Sequence, residues 1–463
     1  MKLKEIIKGV PDYQFFKSVE ELNDDSSRLA EKYPDVVRTE VIGQSRGGSE
    51  IIMEKIGRGK KNVLLFACPH PNEPVGSMML SYLAEKLATD AQFRQEFDLT
   101  WYLIKCIDPD GTSLNQGWFK GPFTPLNYAA NFFRPATYEQ IEWTFPVEYK
   151  NYQFSDPLPE TRALMQVIKQ TKPVFMYSLH NAGFGGAFFY LSGEHPALYN
   201  NLTELVTERG LPLHLGEPEV PYVIKYSDGI FKIPSLQDSY DFLAANSGQD
   251  PAQILSGGSS SFAYIKKYNP AAFCLVCELP YFYDSKIKDR TKMEISRKEA
   301  VLKSLEISKM ITGFVEMVIA ETAKIIELDS PFQRAVIQFA ELDRQSRPAQ
   351  KSWAENNPEF SEAATVAQYF DNVTINRFYK MLTLGMLIRH LELAVKKGVN
   401  SLDHPRLAKL KGLLNQARAY LEQVNSELEA ELDYRVVPIK KLVEIQLASA
   451  LQVLLKIEKN SPV

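Results

Sequence analysis

Apolar residues run along this chain in two rhythms. Short unbroken runs, Val63-Leu64-Leu65-Phe66-Ala67, Val174-Phe175-Met176-Tyr177-Ser178-Leu179 and Ala272-Phe273-Cys274-Leu275-Val276-Cys277, have the length and apolar continuity of strands buried on both faces. A further strand is expected at Leu99 to Ile107, and a hairpin joins Val36–Ile42 to Ile51–Ile56 through Gly43-Gln44-Ser45-Arg46-Gly47-Gly48. Between them the period lengthens to that of a helix. Phe15, Phe16, Val19, Leu22 and Leu29 mark one over residues 14–34, and Met78, Met79, Tyr82, Leu83 and Leu87 mark a second. Others are expected from Glu160 to about Gln170, near Ala197–Arg209, and from about Ile295 to Ile326. Strands alternating with helices predict an α/β fold: a mixed, largely parallel central sheet flanked by helices on both faces.

Past Asp329-Ser330-Pro331 the strand rhythm stops and helical periodicity takes over, as in Leu382, Leu384, Met386, Leu387, Leu391 and Leu393. Later helices are expected at about Pro405–Leu432 and Pro438–Lys459. The division expected is a catalytic domain over 1–328 and a C-terminal all-α domain over 329–463. His390 and His404, in that region, read as structural. At 463 residues, two domains is the ordinary expectation.

Composition narrows the class without naming it. Apolar residues make up 45% and charged residues 24%, and 53 basic against 57 acidic side chains give a net charge of −4. A balance that close to neutral gives no electrostatic reason to expect nucleic acid or an anionic membrane as partner. No apolar run is long enough to span a bilayer, and the amino terminus has no apolar core of a secretory signal. Cys68, Cys106, Cys274 and Cys277 each sit in or beside a strand-like run and read as buried thiols, which fits a cytoplasmic protein. Cys274 and Cys277 are three apart on a strand, so they face opposite ways and do not make a metal pair.

The chemistry gathers at strand ends. His70-Pro71-Asn72-Glu73 follows the first apolar run, His180 ends the second and Glu278 ends the third. In open α/β sheets ligands bind at the carboxyl ends of strands. His70, Glu73 and His180 make two imidazoles and a carboxylate with a position left for water, the ligand set of a catalytic rather than structural zinc, one ion per chain. Glu278 is then free to act as a base. The two histidines are 110 residues apart, so the fold alone can assemble the site.

His70-Pro71-Asn72-Glu73, with five further segments in the same order, resembles the zinc carboxypeptidase family of the carboxypeptidase A type. Asp108-Pro109-Asp110-Gly111 is similar to its Asn-Pro-Asp-Gly turn and Pro159-Glu160-Thr161-Arg162-Ala163-Leu164 to a helix start. Ser178-Leu179-His180, Ser256-Gly257-Gly258-Ser259 and Cys277-Glu278-Leu279 complete the set, and coverage runs from about residue 10 to 326. The resemblance implies a zinc-dependent peptidase that removes a C-terminal residue from a peptide, with Glu278 as general base. It also implies a guanidinium for the oxyanion or substrate carboxylate. Arg134 is the first candidate, and Asn131 and Lys120 are further substrate-binding candidates, although Lys120 reads equally well as a surface lysine. The family's tyrosine before Ser-Gly-Gly is replaced by Gln253, leaving Tyr264 or Tyr268 to stand in. Ser260 at the specificity position implies neither a deep basic nor a deep acidic pocket. Two other readings stay open: an amidohydrolase of small N-acyl amino acids, of the aspartoacylase or succinylglutamate desuccinylase type, and an inactive relative that binds a peptide. For the helical domain three roles stay open: homo-oligomerisation, shielding of the cleft, or binding a partner.

Overall fold

A computed structural model describes residues 3–459; Met1, Lys2 and the last four residues of the 329–463 stretch lie outside the described residues. The apolar runs form the middle of a nine-stranded mixed sheet. Its strands are β1 (Val37–Gln44), β2 (Glu50–Ile56), β3 (Lys61–Ala67), β4 (Leu99–Ile104), β5 (Phe175–Leu179), β6 (Phe188–Leu191), β7 (Lys225–Ser227), β8 (Ile230–Lys232) and β9 (Phe273–Glu278). They lie in the order β1-β2-β4-β3-β5-β9-β6-β8-β7. β4, β3, β5 and β9 are parallel neighbours, and β9 turns antiparallel to β6. The three strands expected to carry the chemistry are therefore adjacent and point the same way.

Alternation along these strands divides the core. Val63, Leu65, Phe175, Tyr177, Leu275 and Cys277 face one apolar cluster, and Leu64, Phe66, Met176, Cys274 and Val276 face another. The two cysteines of β9 thus lie on opposite faces, as strand geometry requires. All four cysteines are free and buried.

The covering helices are α1 (Val19–Lys32), α2 (Val75–Thr89), α3 (Pro109–Phe119), α4 (Pro125–Asn131), α5 (Pro159–Thr171), α6 (Pro196–Thr207) and α7 (Arg297–Ala323). Two expectations need correction. The β4 strand stops at Ile104, and Asp108-Pro109-Asp110-Gly111 is not a free turn but the start of α3. Asp108 caps that helix, its Oδ1 accepting from the Gly111 N–H at 2.9 Å, and Pro109 occupies the first helical turn where its missing N–H costs nothing. The stretch from Thr112 to Tyr149 holds most of α3, all of α4 and two short 3-10 turns.

Five helical segments dominate the region beyond residue 330: α8 (Pro331–Asn356), α9 (Asn376–Gly398), α10 (His404–Glu431) and α11 (Ile439–Lys459), with a shorter helix at Val366–Phe370. Two short strands, Ala363–Thr365 and Arg435–Val436, pair back onto residues of the preceding part of the chain. One apolar cluster runs without a break from Val63 and Leu275 of the sheet to Leu442, Leu447 and Leu451 of α11. The buried Gln446 of α11 donates from Nε2 to the carbonyl of His180 at 2.9 Å. At the other side, Arg389 of α9 donates to the carbonyls of Asn131 and Phe132 at 2.9 and 3.1 Å. The C-terminal helices therefore brace two segments that carry expected site residues. Among the described residues, no helix is long and apolar enough to cross a membrane.

The contact between α9 and α4 depends on one missing side chain. A Cβ at Gly385 would sit 1.8 Å from the carbonyl oxygen of Ala129, a backbone atom that cannot swing away. Gly385→Ala should therefore push the helices apart and cost about 2 kcal/mol or more, at the upper part of the range for overpacking. Urea unfolding at equilibrium measures this; an unchanged midpoint would show that the helices are not held so closely.

Candidate metal centre

The apolar strand β3 ends at Ala67, and the chain then reverses sharply. Cys68 takes a left-handed conformation, φ +54°, that few side chains adopt. Its buried thiol lies 3.2 Å from the hydroxyl of Ser77, and that hydroxyl donates to the Lys105 carbonyl at 2.6 Å. The loop His70–Pro74 is then pinned from the side: a Cβ on Gly111 would come within 2.8 Å of the Pro71 ring, so only glycine lets α3 approach. His70 and Glu73 consequently face the ends of β5 and β9.

There they meet His180. His70 Nδ1 lies 3.1 Å from a Glu73 carboxylate oxygen, His180 Nδ1 lies 3.0 Å from the other, and the two imidazole nitrogens are 3.1 Å apart. All three residues are buried. The ring of His180 is oriented by Ser178, whose hydroxyl is 2.8 Å from Nε2, the outer-shell bond that ligand histidines usually make. His70 Nε2 is buried with no such partner among the described residues.

This donor set suits a metal. Four ligands at 2.0–2.1 Å around a tetrahedral ion lie about 3.3 Å from one another, and the three donors converge at nearly that spacing. Among the described residues, these three form the group of His, Cys, Asp and Glu side chains whose ligand atoms lie close enough together that they could hold one ion. Burial and the neighbouring Arg134 charge push the His70 pKa down to about 3, leaving its ring neutral with a lone pair to give. Burial alone would raise the pKa of Glu73, but the charge of Arg134 and the hydrogen bonds from the two imidazoles, His180 and His70, outweigh it and hold the group well below the usual carboxylate range.

Glu278 ends β9 with a carboxylate oxygen 3.8 Å from His180 Nδ1. Its pKa is raised well above the ordinary value by burial first, then by the negative charges of Glu73 and Glu219. Arg134 reaches in from the segment after α4, its Nη2 donating to Glu73 at 3.0 Å while its Nε is buried without a partner among the described residues. Together these groups line one cavity of about 410 Å³, within the size range of small-molecule sites.

Lys120 and Asn131 are not brought there. Lys120, just past the end of α3, pairs with Glu21 at 3.1 Å on the exposed surface. Asn131 turns its amide back onto Asn127 of its own helix. Tyr264 and Tyr268 hydrogen-bond to each other at 3.0 Å beside an apolar cluster, away from the cavity wall, whose tyrosines are Tyr128, Tyr190 and Tyr379. Glu160 is structural: its buried carboxylate accepts from the backbone N–H of Arg46 at 2.9 Å and from Arg46 Nε at 3.3 Å, clamping the β1–β2 turn onto α5.

Cavity residues that sequence reasoning did not single out come from two places. Glu142 and Glu219 add two carboxylates; Phe339 of α8 and Tyr379, Leu382, Thr383 and Met386 of α9 add a wall. The α9 residues fall three and four apart, on one helix face. A stripe of that kind looks the same whether it meets core or cavity, but a glutamate between Ile141 and Trp143 was a legible anomaly.

The sequence profile of the family described as zinc carboxypeptidase matches residues 23–275, more than half of the chain. The chain belongs to the zinc carboxypeptidase family. Among solved structures of such enzymes, the carboxypeptidase A of Helicoverpa armigera is 16% identical over 58% of this chain and 65% of its own, with a TM-score of 0.38. A metallo-carboxypeptidase of Burkholderia cenocepacia is 17% identical over 60% of this chain and 62% of its own, TM-score 0.32. Bovine thrombin-activatable fibrinolysis inhibitor, solved in complex with tick carboxypeptidase inhibitor, is 13% identical over 57% and 86%, TM-score 0.35. This zinc carboxypeptidase family member thus spans less than two thirds of the first two. No curated protein matches it.

The left-handed turn at Cys68 gives the site a backbone prediction. A β-branched side chain tolerates that conformation poorly, so Cys68→Val should destabilise the metal-free protein by about 2 kcal/mol in urea unfolding. Equal stability of variant and parent would contradict the strained turn.

Proposed function

We propose that this chain is a zinc-dependent metallocarboxypeptidase that removes a C-terminal residue from a peptide. The observation that carries the reading is the meeting of His70, Glu73 and His180 at mutual distances of 3.0–3.1 Å, with Glu278 beside them on the next parallel strand. His70, Glu73 and His180 would hold the ion. When bound, zinc supplies Lewis acidity, polarising a carbonyl and bringing the pKa of a water to about 7.

The rest is the work of this chain's own side chains. Glu278 takes the proton from the attacking water and passes it to the leaving amine. A carboxylate whose proton affinity is raised by burial and by Glu73 and Glu219 is suited to holding that proton between the two steps. Arg134, half-exposed to the cavity, presents a guanidinium to the developing oxyanion or to the substrate's terminal carboxylate. Tyr379, Leu382 and Met386 of α9 cover the cavity from the far side and limit water around the scissile bond.

The roles separate experimentally. His70→Ala and His180→Ala should each lose zinc, read by elemental analysis of the purified protein. Glu278→Gln should keep zinc and lose turnover by about a thousandfold, within the range for loss of a general base. Turnover of dipeptides by the parent, with none of N-acetylaspartate or N-succinylglutamate, is the expected substrate pattern. The reverse pattern, or an active Glu278→Gln, would overturn the assignment.

A further inference from the structure

Two carboxylates in the cavity have no part in the chemistry above, and one of them is incompletely satisfied. Glu142 sits in a 3-10 turn, Ile141–Trp143, and lines the cavity while being only 2% exposed. Its Oε1 accepts from the buried hydroxyl of Ser261 at 2.7 Å, but its Oε2 is buried with no partner among the described residues. A buried carboxylate oxygen left in this state costs free energy unless a proton or a cation meets it. Among the described residues lining the cavity, Arg134 is the one Lys or Arg side chain, and it is engaged by Glu73. Burial pushes the Glu142 pKa up to about 7, against the hydrogen bonds from Ser261.

The surroundings of Glu142 have a definite shape. Ser261 follows Ser260, the residue at the position expected to govern specificity, and Ser260 lines the cavity. Ile233, Phe262 and Val276 line it too, and Phe262 and Val276 belong with Ile141 to the apolar cluster on that face of the sheet. Glu219 also lines the cavity, but it already accepts from Tyr190 at 2.8 Å. An apolar wall with one unpaired carboxylate suits a ligand with an aliphatic stem and a cationic tip.

We propose that Glu142 is a specificity-determining residue that receives the ammonium or guanidinium tip of a substrate side chain, so that the cavity prefers residues of the lysine and arginine kind. This deepens, and for the identity of the substrate rests on, the peptidase reading. The charge that Ser260 lacks is supplied from a different segment of the chain.

Binding tests the proposal without turnover. The probes are Nα-acetyl-lysine, Nα-acetyl-arginine and Nα-acetyl-norleucine, the last with the lysine stem and no charge, titrated calorimetrically into the zinc-loaded protein. At least one cationic probe should bind about tenfold or more tightly than norleucine, the size of a desolvated charge pair, and Glu142→Gln should abolish that difference. The parent comparison stands even if the variant folds poorly, which its thermal midpoint reports. Equal affinity of all three probes, including no binding of any at millimolar concentration, overturns the proposal, as does a preference that survives Glu142→Gln. A protein that shows the preference but cleaves no peptide would sink the peptidase reading and keep this one; a peptidase without the preference would do the reverse.

Discussion

A carboxylate buried at the end of a β-strand has to be compensated, and the arrangement around Glu73 follows from that requirement. Removing an ionised carboxylate from water costs several kcal/mol even after relaxation. Here the two imidazoles and Arg134 surround it at about 3 Å. Three elements must be in register for this to happen: the reversed chain at Cys68, the end of β5 and the segment that follows α4. A slip of one residue in β5 would turn His180 to the other face of the sheet. Parallel pairing with β3 on one side and β9 on the other forbids such a slip.

The C-terminal helices belong to the same set of constraints. Gln446 holds the His180 carbonyl, Arg389 holds the carbonyls just before Arg134, and Arg334 pairs with Glu139 at 2.9 Å in the stretch that leads to Glu142. The helical region thus positions both sides of the cavity and supplies part of its wall. A change deep in α9 or α11 is expected to be felt through backbone position and not through any direct contact with a reacting atom.

Much of the centre was legible in the chain because buried parallel strands read as unbroken apolar runs. A histidine or glutamate that ends such a run stands out, as His180 and Glu278 do, and neighbouring parallel strands carry their ends to one edge. Other features were not legible. Asp108-Pro109-Asp110-Gly111 suits a turn and a helix start equally well, since a capping aspartate followed by proline serves both. Lys120 and Asn131 lie near Arg134 in sequence, yet their partners, Glu21 and Asn127, are set by the fold and by helix geometry. The α9 stripe at Tyr379, Leu382, Thr383 and Met386 has ordinary helical spacing, and nothing in it distinguishes a face packed in a core from one that walls a cavity.

The central claim is that two imidazoles and one carboxylate, scattered along the polymer, share a single ion. Anomalous diffraction from zinc-loaded crystals at the zinc absorption edge tests it most directly. The account predicts one peak per chain, about 2.0–2.2 Å from Nδ1 of His70, Nδ1 of His180 and the Glu73 carboxylate, with Glu278 outside bonding distance. A peak held by other residues, or no peak among these three, would contradict it.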